Sequence, residues 1–154
     1  MRISIVAVGK PGALASPIRD YEERAKRYWR LEVTEVPQGR GRGAREVLVR
    51  EAGLIRARLK PDHATVALTR VGRTLSSVAL ARWLERQTWG PARGVHFLVG
   101  GAFGLEAGLR DKCDLKMSLS PFTLPHDLAR LVLAEQLYRA GTILRNEPYH
   151  KGAE

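Results

Sequence analysis

Cysteine is nearly absent: Cys113 is the only one in 154 residues. A lone cysteine excludes an internal disulfide framework and a cysteine-built metal cluster. Histidine is scarce as well, limited to His63, His96, His126 and His150. No two of them form an HExxH pair, so no metal is expected. No GxSxG elbow exists, which removes one common hydrolase design. Neither GxGxxG nor GxxxxGK[S/T] occurs, so the usual phosphate cradles are missing. No apolar run approaches the roughly 18 residues of a membrane span. The apolar start at residues 1–9 is too short for a secretory signal and reads better as a strand. A cytoplasmic protein with no membrane partner is the expectation.

Positive charge, by contrast, is plentiful. Twenty-six Lys and Arg against sixteen Asp and Glu leave a formal net charge of +10. A small chain this basic is drawn to polyanions, of which nucleic acid is the commonest in cytoplasm. The densest run is Gly39-Arg40-Gly41-Arg42-Gly43. Charge alone does not say what is done to the nucleic acid, and an arginine-rich solvated surface would look the same.

Short apolar runs alternate with longer amphipathic stretches. Strands are expected at residues 2–8, 31–36, 64–69, 95–99 and 116–119. Residues 95–99 are apolar except for His96 and show no alternation, as suits a strand buried on both faces. Ser16 and Pro17 read as a helix cap and first helical residue, and Ile18, Tyr21, Ala25, Tyr28 and Trp29 follow at helical spacing. Further helices are expected at 44–59, 76–87, 106–112 and 126–144. A strand–helix unit repeated five times predicts a single α/β domain over residues 1–154, with a mostly parallel sheet and helices on both faces. Ligands of such sheets bind at the carboxyl ends of the strands.

Three loops therefore carry the interest. Residues 69–76 follow the third strand and read as a βα loop, with Gly72 at a tight turn and Ser76 as a cap. Gly100-Gly101-Ala102-Phe103-Gly104-Leu105 follows the fourth; its glycines suit either a tight turn or a close backbone approach to a ligand. Ser118-Leu119-Ser120-Pro121-Phe122-Thr123-Leu124-Pro125 follows the fifth. It is uncharged and partly apolar, fitting a flat group such as adenine better than a triphosphate. The last helix places Glu135 and Arg139 four residues apart on one face. Its Leu128, Leu131, Val132, Leu137, Tyr138 and Ile143 are available for core or interface. Beyond it, Arg145, Tyr149, His150 and Lys151 put two cations, a stacking ring and a proton-transfer group within seven residues.

Several of these segments resemble one family. Gly100-Gly101-Ala102-Phe103-Gly104-Leu105, Thr123-Leu124-Pro125-His126, Arg130, Glu135-Gln136-Leu137-Tyr138-Arg139-Ala140, Asn146 and Pro148-Tyr149-His150-Lys151 are similar in order and spacing to the bacterial ribosomal RNA large-subunit methyltransferases H. These are minimal SPOUT methyltransferases. The resemblance implies a C-terminal trefoil knot and a homodimer. It also implies transfer of a methyl group from S-adenosylmethionine to N3 of a pseudouridine in 23S ribosomal RNA, on the assembled ribosome, with no DNA partner. Leu68, Gly100, Gly101, Leu119, Ser120, Pro121, Phe122, Thr123 and Leu124 would then form the donor pocket. Arg139, Tyr149, His150 and Lys151 would face the substrate as catalytic residues. Two positions depart from the family pattern: Thr69 stands where an aspartate is usual, and Arg73 where a lysine is usual. Residues 152–154 extend past the usual end and are expected to be disordered.

Two other functions compete with methyl transfer. A non-enzymatic RNA-binding or ribosome-associated factor would account for the charge and the Gly-Arg loop, but would leave the apolar loop and the Tyr-His tail without a use. A nucleotide-binding α/β regulator lacks a phosphate motif.

Overall fold

Five apolar runs become five strands: β1 (Arg2–Val8), β2 (Arg30–Val36), β3 (His63–Thr74), β4 (Gly94–Val99) and β5 (Leu115–Ser118). The computed structural model describes residues 1–152. Gly152 is exposed irregular chain, while Ala153 and Glu154 lie outside the described residues. The strands join into one sheet of order β2-β1-β4-β3-β5, and every strand pair is parallel. All connections leaving a carboxyl end therefore emerge on the same edge.

Alternation along the strands divides the core into two layers. Ile3, Ile5 and Ala7 of β1, with Val95, Phe97 and Val99 of β4, pack on one face. There they meet α1 (Ala15–Ala25), α3 (Ser77–Trp89) and α5 (His126–Leu144). Val6, Val8 and Leu98 turn to the other face, toward α2 (Ala44–Arg56) and α4 (Ala107–Asp111). β4 is buried along its whole length, His96 included, as the lack of alternation among its apolar residues predicts.

Three local expectations need correction. Residues 69–76 are not an ordinary loop, because β3 runs on to Thr74. Its pairing with β5 slips between Leu68 and Arg73, then resumes as Arg73↔Met117 and Thr74↔Ser118. Gly72 serves that second pairing rather than a turn: a Cβ there would lie 2.7 Å from the Lys116 carbonyl. Ser16 does not cap α1, which starts at Ala15 behind a single 3-10 turn, Gly12–Leu14. Tyr28 and Trp29 follow α1 rather than lie in it, yet Trp29 is still buried and donates to the Leu137 carbonyl at 2.8 Å. Ser76 does cap α3, accepting from the Ala79 amide at 3.0 Å.

α5 is held by α1 through a buried ion pair. Arg130 Nη2 lies 3.0 Å from Glu22 Oε1, with both side chains almost fully buried. Removing one partner would strand a buried charge, at a cost of about 3–5 kcal/mol. Glu35, at the end of β2, stands 3.7 Å from the other arm of the guanidinium. The pair fixes how the start of α5 enters the carboxyl edge of the sheet.

Candidate functional site

The carboxyl edge opens into a cleft of about 430 Å3. The ends of β3, β4 and β5 form its floor, through Leu68, Val99 and Leu119. One wall is the glycine loop. Gly104 adopts φ 77° and its amide donates to the Gly101 carbonyl at 3.0 Å, closing a tight turn. A Cβ on Gly100 would sit 2.4 Å from the Gly104 backbone, so this turn admits no side chain there. The facing wall is the uncharged loop after β5. The Ser118 hydroxyl bonds the carbonyls of Arg70 and Ser120, each at 3.0 Å, and ties this loop to the extension of β3. Ser120 Oγ in turn accepts from the Phe122 amide at 2.9 Å.

Of the residues expected at a donor pocket, Leu68, Gly100, Gly101, Leu119, Ser120, Phe122, Thr123 and Leu124 line this cleft, and Pro121 does not. Thr69 also lines it, so the departure from the family pattern falls inside the site. Arg70 and Arg110 add two cations to a wall that also carries Thr69, Ser120, Thr123 and His126 among its apolar groups and backbone. Phe122 and Val71 are more than two-thirds exposed at the mouth.

A second cluster forms where the chain folds back after α5. Asn146 takes a left-handed conformation, φ 55°, and the Glu147 amide returns to the Thr142 carbonyl at 2.9 Å. Tyr28 donates a short hydrogen bond to Glu147 and pins the reversal. The tail then runs beside α5, with Glu135 as the hub. Its Oε1 accepts from Arg139 Nη2 at 2.6 Å, from Arg139 Nε at 3.0 Å and from the Tyr149 hydroxyl at 2.9 Å. The Arg139 guanidinium lies over the Tyr149 ring at 4.7 Å, while Tyr149 meets Tyr138 edge-on at 4.6 Å. Burial, with hydrogen bonds to Tyr21 and Glu135, holds the Tyr149 phenol above the ordinary tyrosine range. Its hydroxyl is therefore a donor at any working pH. Hydrogen bonding to Glu135 likewise raises the Arg139 guanidinium above its ordinary value.

His150 completes the cluster, with its Nδ1 3.2 Å from Arg139 Nη1. A guanidinium can only donate, so Nδ1 is the acceptor and the neutral imidazole carries its proton on Nε2. Lys151 is exposed and stands apart from this network.

The cleft and the tail cluster do not meet within one chain. Ala129 lines the cleft near the start of α5, and Arg139 lies ten residues farther along the same helix. At 1.5 Å per residue that is a separation of about 15 Å.

Residues 1–150 match the family model described as Predicted SPOUT methyltransferase. The chain belongs to the SPOUT methyltransferases. Among curated relatives, the ribosomal RNA large subunit methyltransferase H of Gemmatimonas aurantiaca is 49% identical, the match covering 98% of this chain and 100% of that protein. The protein of the same name from an Anaeromyxobacter species (strain Fw109-5) is 44% identical over the same shares. Within the SPOUT proteins the chain thus falls in the methyltransferase H family. A solved structure of a probable methyltransferase from Bordetella pertussis superposes with TM-score 0.59 at 17% identity, covering 90% of this chain and 95% of that one. A probable methylase family protein from Haemophilus influenzae gives 0.54 at 12% identity, covering 98% and 70%. Both share the fold.

Some residues of this SPOUT site escaped the sequence reading. Arg70 and Val71 were expected in a loop and not singled out; the β3 extension carries them onto the cleft wall. Tyr21, Tyr28 and Glu147 brace the tail from α1, the turn after it and the tail itself. No local spacing signals contacts over more than a hundred residues. The Glu135–Arg139 pair, by contrast, follows from its four-residue spacing and is present.

Proposed function

We propose that this SPOUT protein transfers a methyl group from S-adenosylmethionine to N3 of a pseudouridine in 23S ribosomal RNA, on the assembled ribosome. The observation that carries the reading is the pairing of a glycine-walled cleft of mixed polar and apolar lining with an Arg139–His150–Tyr149 cluster on one parallel-sheet framework. The relatives' name supplies the substrate class. A cleft of this size suits a nucleoside-sized ligand. Leu68, Leu119 and Leu124 offer an adenine apolar faces, the glycine-loop backbone offers polar contacts, and Arg70 or Arg110 can meet a carboxylate. The bound donor supplies an activated methyl on a sulfonium.

The nucleophile is an imide nitrogen that carries a proton at neutral pH. As the N–C bond forms, the C–S electron pair returns to sulfur and the N3 proton must leave. His150 is the base in this reading, through Nδ1, and becomes available when Arg139 Nη1 turns from the ring to the uracil oxygens. Arg139 then stabilises the imidate as it develops. Tyr149 holds Arg139 in place from its ring face, and Lys151 reaches the RNA backbone.

The cluster is too far from the cleft of its own chain, so the working enzyme is a homodimer in which the tail of one copy completes the cleft of the other. Support comes from Leu128, Leu131 and Val132, a half-buried apolar stripe on α5 beside the cleft wall. The C-terminal knot implied by the family resemblance belongs to the same proposal. Its support is the close packing of the β3 extension on β5, where Gly72 meets the Lys116 backbone and parallel pairing resumes at Arg73↔Met117 and Thr74↔Ser118, ahead of the loop that leads into α5.

The test is calorimetric titration with S-adenosylmethionine and, separately, ATP, followed by methyl transfer to unmodified 70S ribosomes. Saturable binding of the former alone, with label in the large-subunit RNA, is the expected result. A chain that binds ribosomes but neither ligand is the RNA-binding factor instead. Mixing a His150→Ala copy with a Gly100→Trp copy should restore activity that neither has alone; failure to do so, or full activity of a monomer at high dilution, removes the shared site.

A further inference from the structure

Residues 39–43 leave the same sheet edge as the cleft, since β2 lies parallel to β1 and β4. This Gly-Arg-Gly-Arg-Gly loop is pinned to the cleft walls by two independent struts. The first is Glu51, a buried side chain of α2. Its Oε2 accepts from the Gly39 amide at 2.9 Å. Its Oε1 packs under Gly101, so closely that a Cβ on that glycine would come within 3.2 Å of it. The second strut runs through Gln38. Its side chain lies against Gly9, as does the ring of His126, whose Nε2 is 3.3 Å from the Lys10 carbonyl. Both Gly101 and His126 line the cleft.

Close backbone approach sets the loop's shape. A Cβ on Gly39 would come 2.6 Å from the Val47 carbonyl, and one on Gly41 would meet Glu46 at 2.8 Å. Packed down in this way, the backbone leaves the Arg40 and Arg42 side chains exposed. Neither makes an ion pair among the described residues, nor do neighbouring Arg45, Lys10 on the next loop, or Arg70 and Arg73 on the β3 extension. Elsewhere the surface arginines are mixed: Arg50, Arg56 and Arg82 are matched by Glu46, Glu106 and Glu85, while Arg19, Arg58 and Arg86 make no ion pair among the described residues, so it is the clustering at one edge that sets this group apart. An arc of uncompensated cations thus borders the one edge where the chemistry is placed.

We infer that the 39–43 loop is a backbone grip for the RNA substrate: Arg40 and Arg42 hold phosphodiesters beside the cleft, and Glu51 fixes the loop's height above the glycine wall. Phosphate contacts of this kind position a substrate and carry no base specificity. The inference deepens the proposed function and rests on its RNA substrate.

The experiment compares Arg40→Gln/Arg42→Gln with Arg58→Gln/Arg86→Gln. The second pair removes the same charge from exposed sites near the ends of α2 and α3, at the opposite edge. Binding to unmodified 70S ribosomes is measured across a salt series, and S-adenosylmethionine binding by calorimetry. The loop variant should bind ribosomes about ten- to a hundredfold more weakly, and its log–log salt slope should fall by about 2, one for each lost phosphate contact. Its donor affinity should stay within twofold. Equal ribosome binding by the two double variants overturns the inference, as does a loop variant that loses donor affinity instead. The wild-type methylation assay is read separately, so failure of the enzyme reading is not mistaken for failure of the loop.

Discussion

The carboxyl-edge cleft and the tail cluster are built by opposite means. The cleft is a space bounded largely by backbone, glycine and apolar side chains, and its hydrogen bonds hold loops rather than reactive groups. The tail cluster is nearly all side chain: one carboxylate, one guanidinium, one imidazole and several phenol rings in mutual contact. The cleft has space for a donor, and its one imidazole, His126, is engaged through Nε2 with the Lys10 carbonyl at 3.3 Å. A saturated polar cluster can handle charge but has no room for a nucleoside. Each region lacks what the other holds, which is the physical reason to expect a site shared between two copies.

Removing His150 tests the comparison hardest. His150→Ala should slow single-turnover methyl transfer about 10^2- to 10^4-fold, the usual range for a lost acid–base group, with donor affinity within twofold. His150→Gln separates base from hydrogen-bond donor, because glutamine can donate but cannot take the proton at neutral pH. No recovery with glutamine supports the base; recovery to within tenfold of wild type assigns the ring a donor's role. A normal rate in the alanine variant would remove His150 from the chemistry.

A second measurement separates the site from the stability of its frame. His96 sits at the amino end of the sheet, stacked on His63 at 4.8 Å, and its Nε2 accepts from the Lys60 amide at 3.0 Å. Burial above all, helped by His63 and Lys60 and opposed by Asp62 and Glu32, lowers its imidazole to about 4. The folded pKa lies below the unfolded one, so the stabilisation is full above about pH 6.5 and is lost as pH falls toward 4. Unfolding free energy should drop by roughly 2 kcal/mol between pH 8 and pH 5 from this group alone. Denaturant titrations at the two pH values check this, and His96→Gln should flatten the dependence. If activity falls over that range while unfolding stays pH-independent, the acid limb belongs to the tail cluster instead.

The cleft offers its own test. Gly100→Ala places a methyl against the Gly104 backbone, so the glycine turn must open. A loss of about 1–3 kcal/mol is expected for such overpacking, seen as donor affinity reduced about five- to a hundredfold with the tail intact. Unchanged donor affinity would mean that the glycine loop only shapes the fold.

The cleft was far more legible in the sequence than the way the tail is placed. The five strands, the buried β4 and the loops at the carboxyl edge follow from periodicity and the parallel-sheet rule, both short-range signals, whereas the order of the strands in the sheet does not. α5 also runs over His126–Leu144, as its apolar spacing predicts. The extension of β3 was missed because Arg70, Gly72 and Arg73 break the apolar pattern. Its pairing with β5 at Met117 and Ser118 depends on tertiary proximity that no local rule contains. For the tail, residue types flagged Tyr149 and His150. The Asn146 reversal and the Tyr28–Glu147 bond that place them are long-range, and only coordinates reveal them.

The smallest expected effect probes what Tyr149 does. Tyr149→Phe removes the hydroxyl's hydrogen bonds to Glu135 and Tyr21 but keeps the ring under Arg139 and against Tyr138. Glu135 retains Arg139 on Oε1 and Gln136 on Oε2, at 2.7 Å, so no buried acceptor is abandoned. The loss should then be about 1–2 kcal/mol, the net worth of one or two such bonds, or about five- to thirtyfold in rate. Tyr149→Ala, which also removes the surface that holds the guanidinium, should cost at least ten times more. If the two variants lose the same rate, the hydroxyl and not the ring is what the tail contributes, and the polar character assigned to this half of the site would have to extend to its aromatic members.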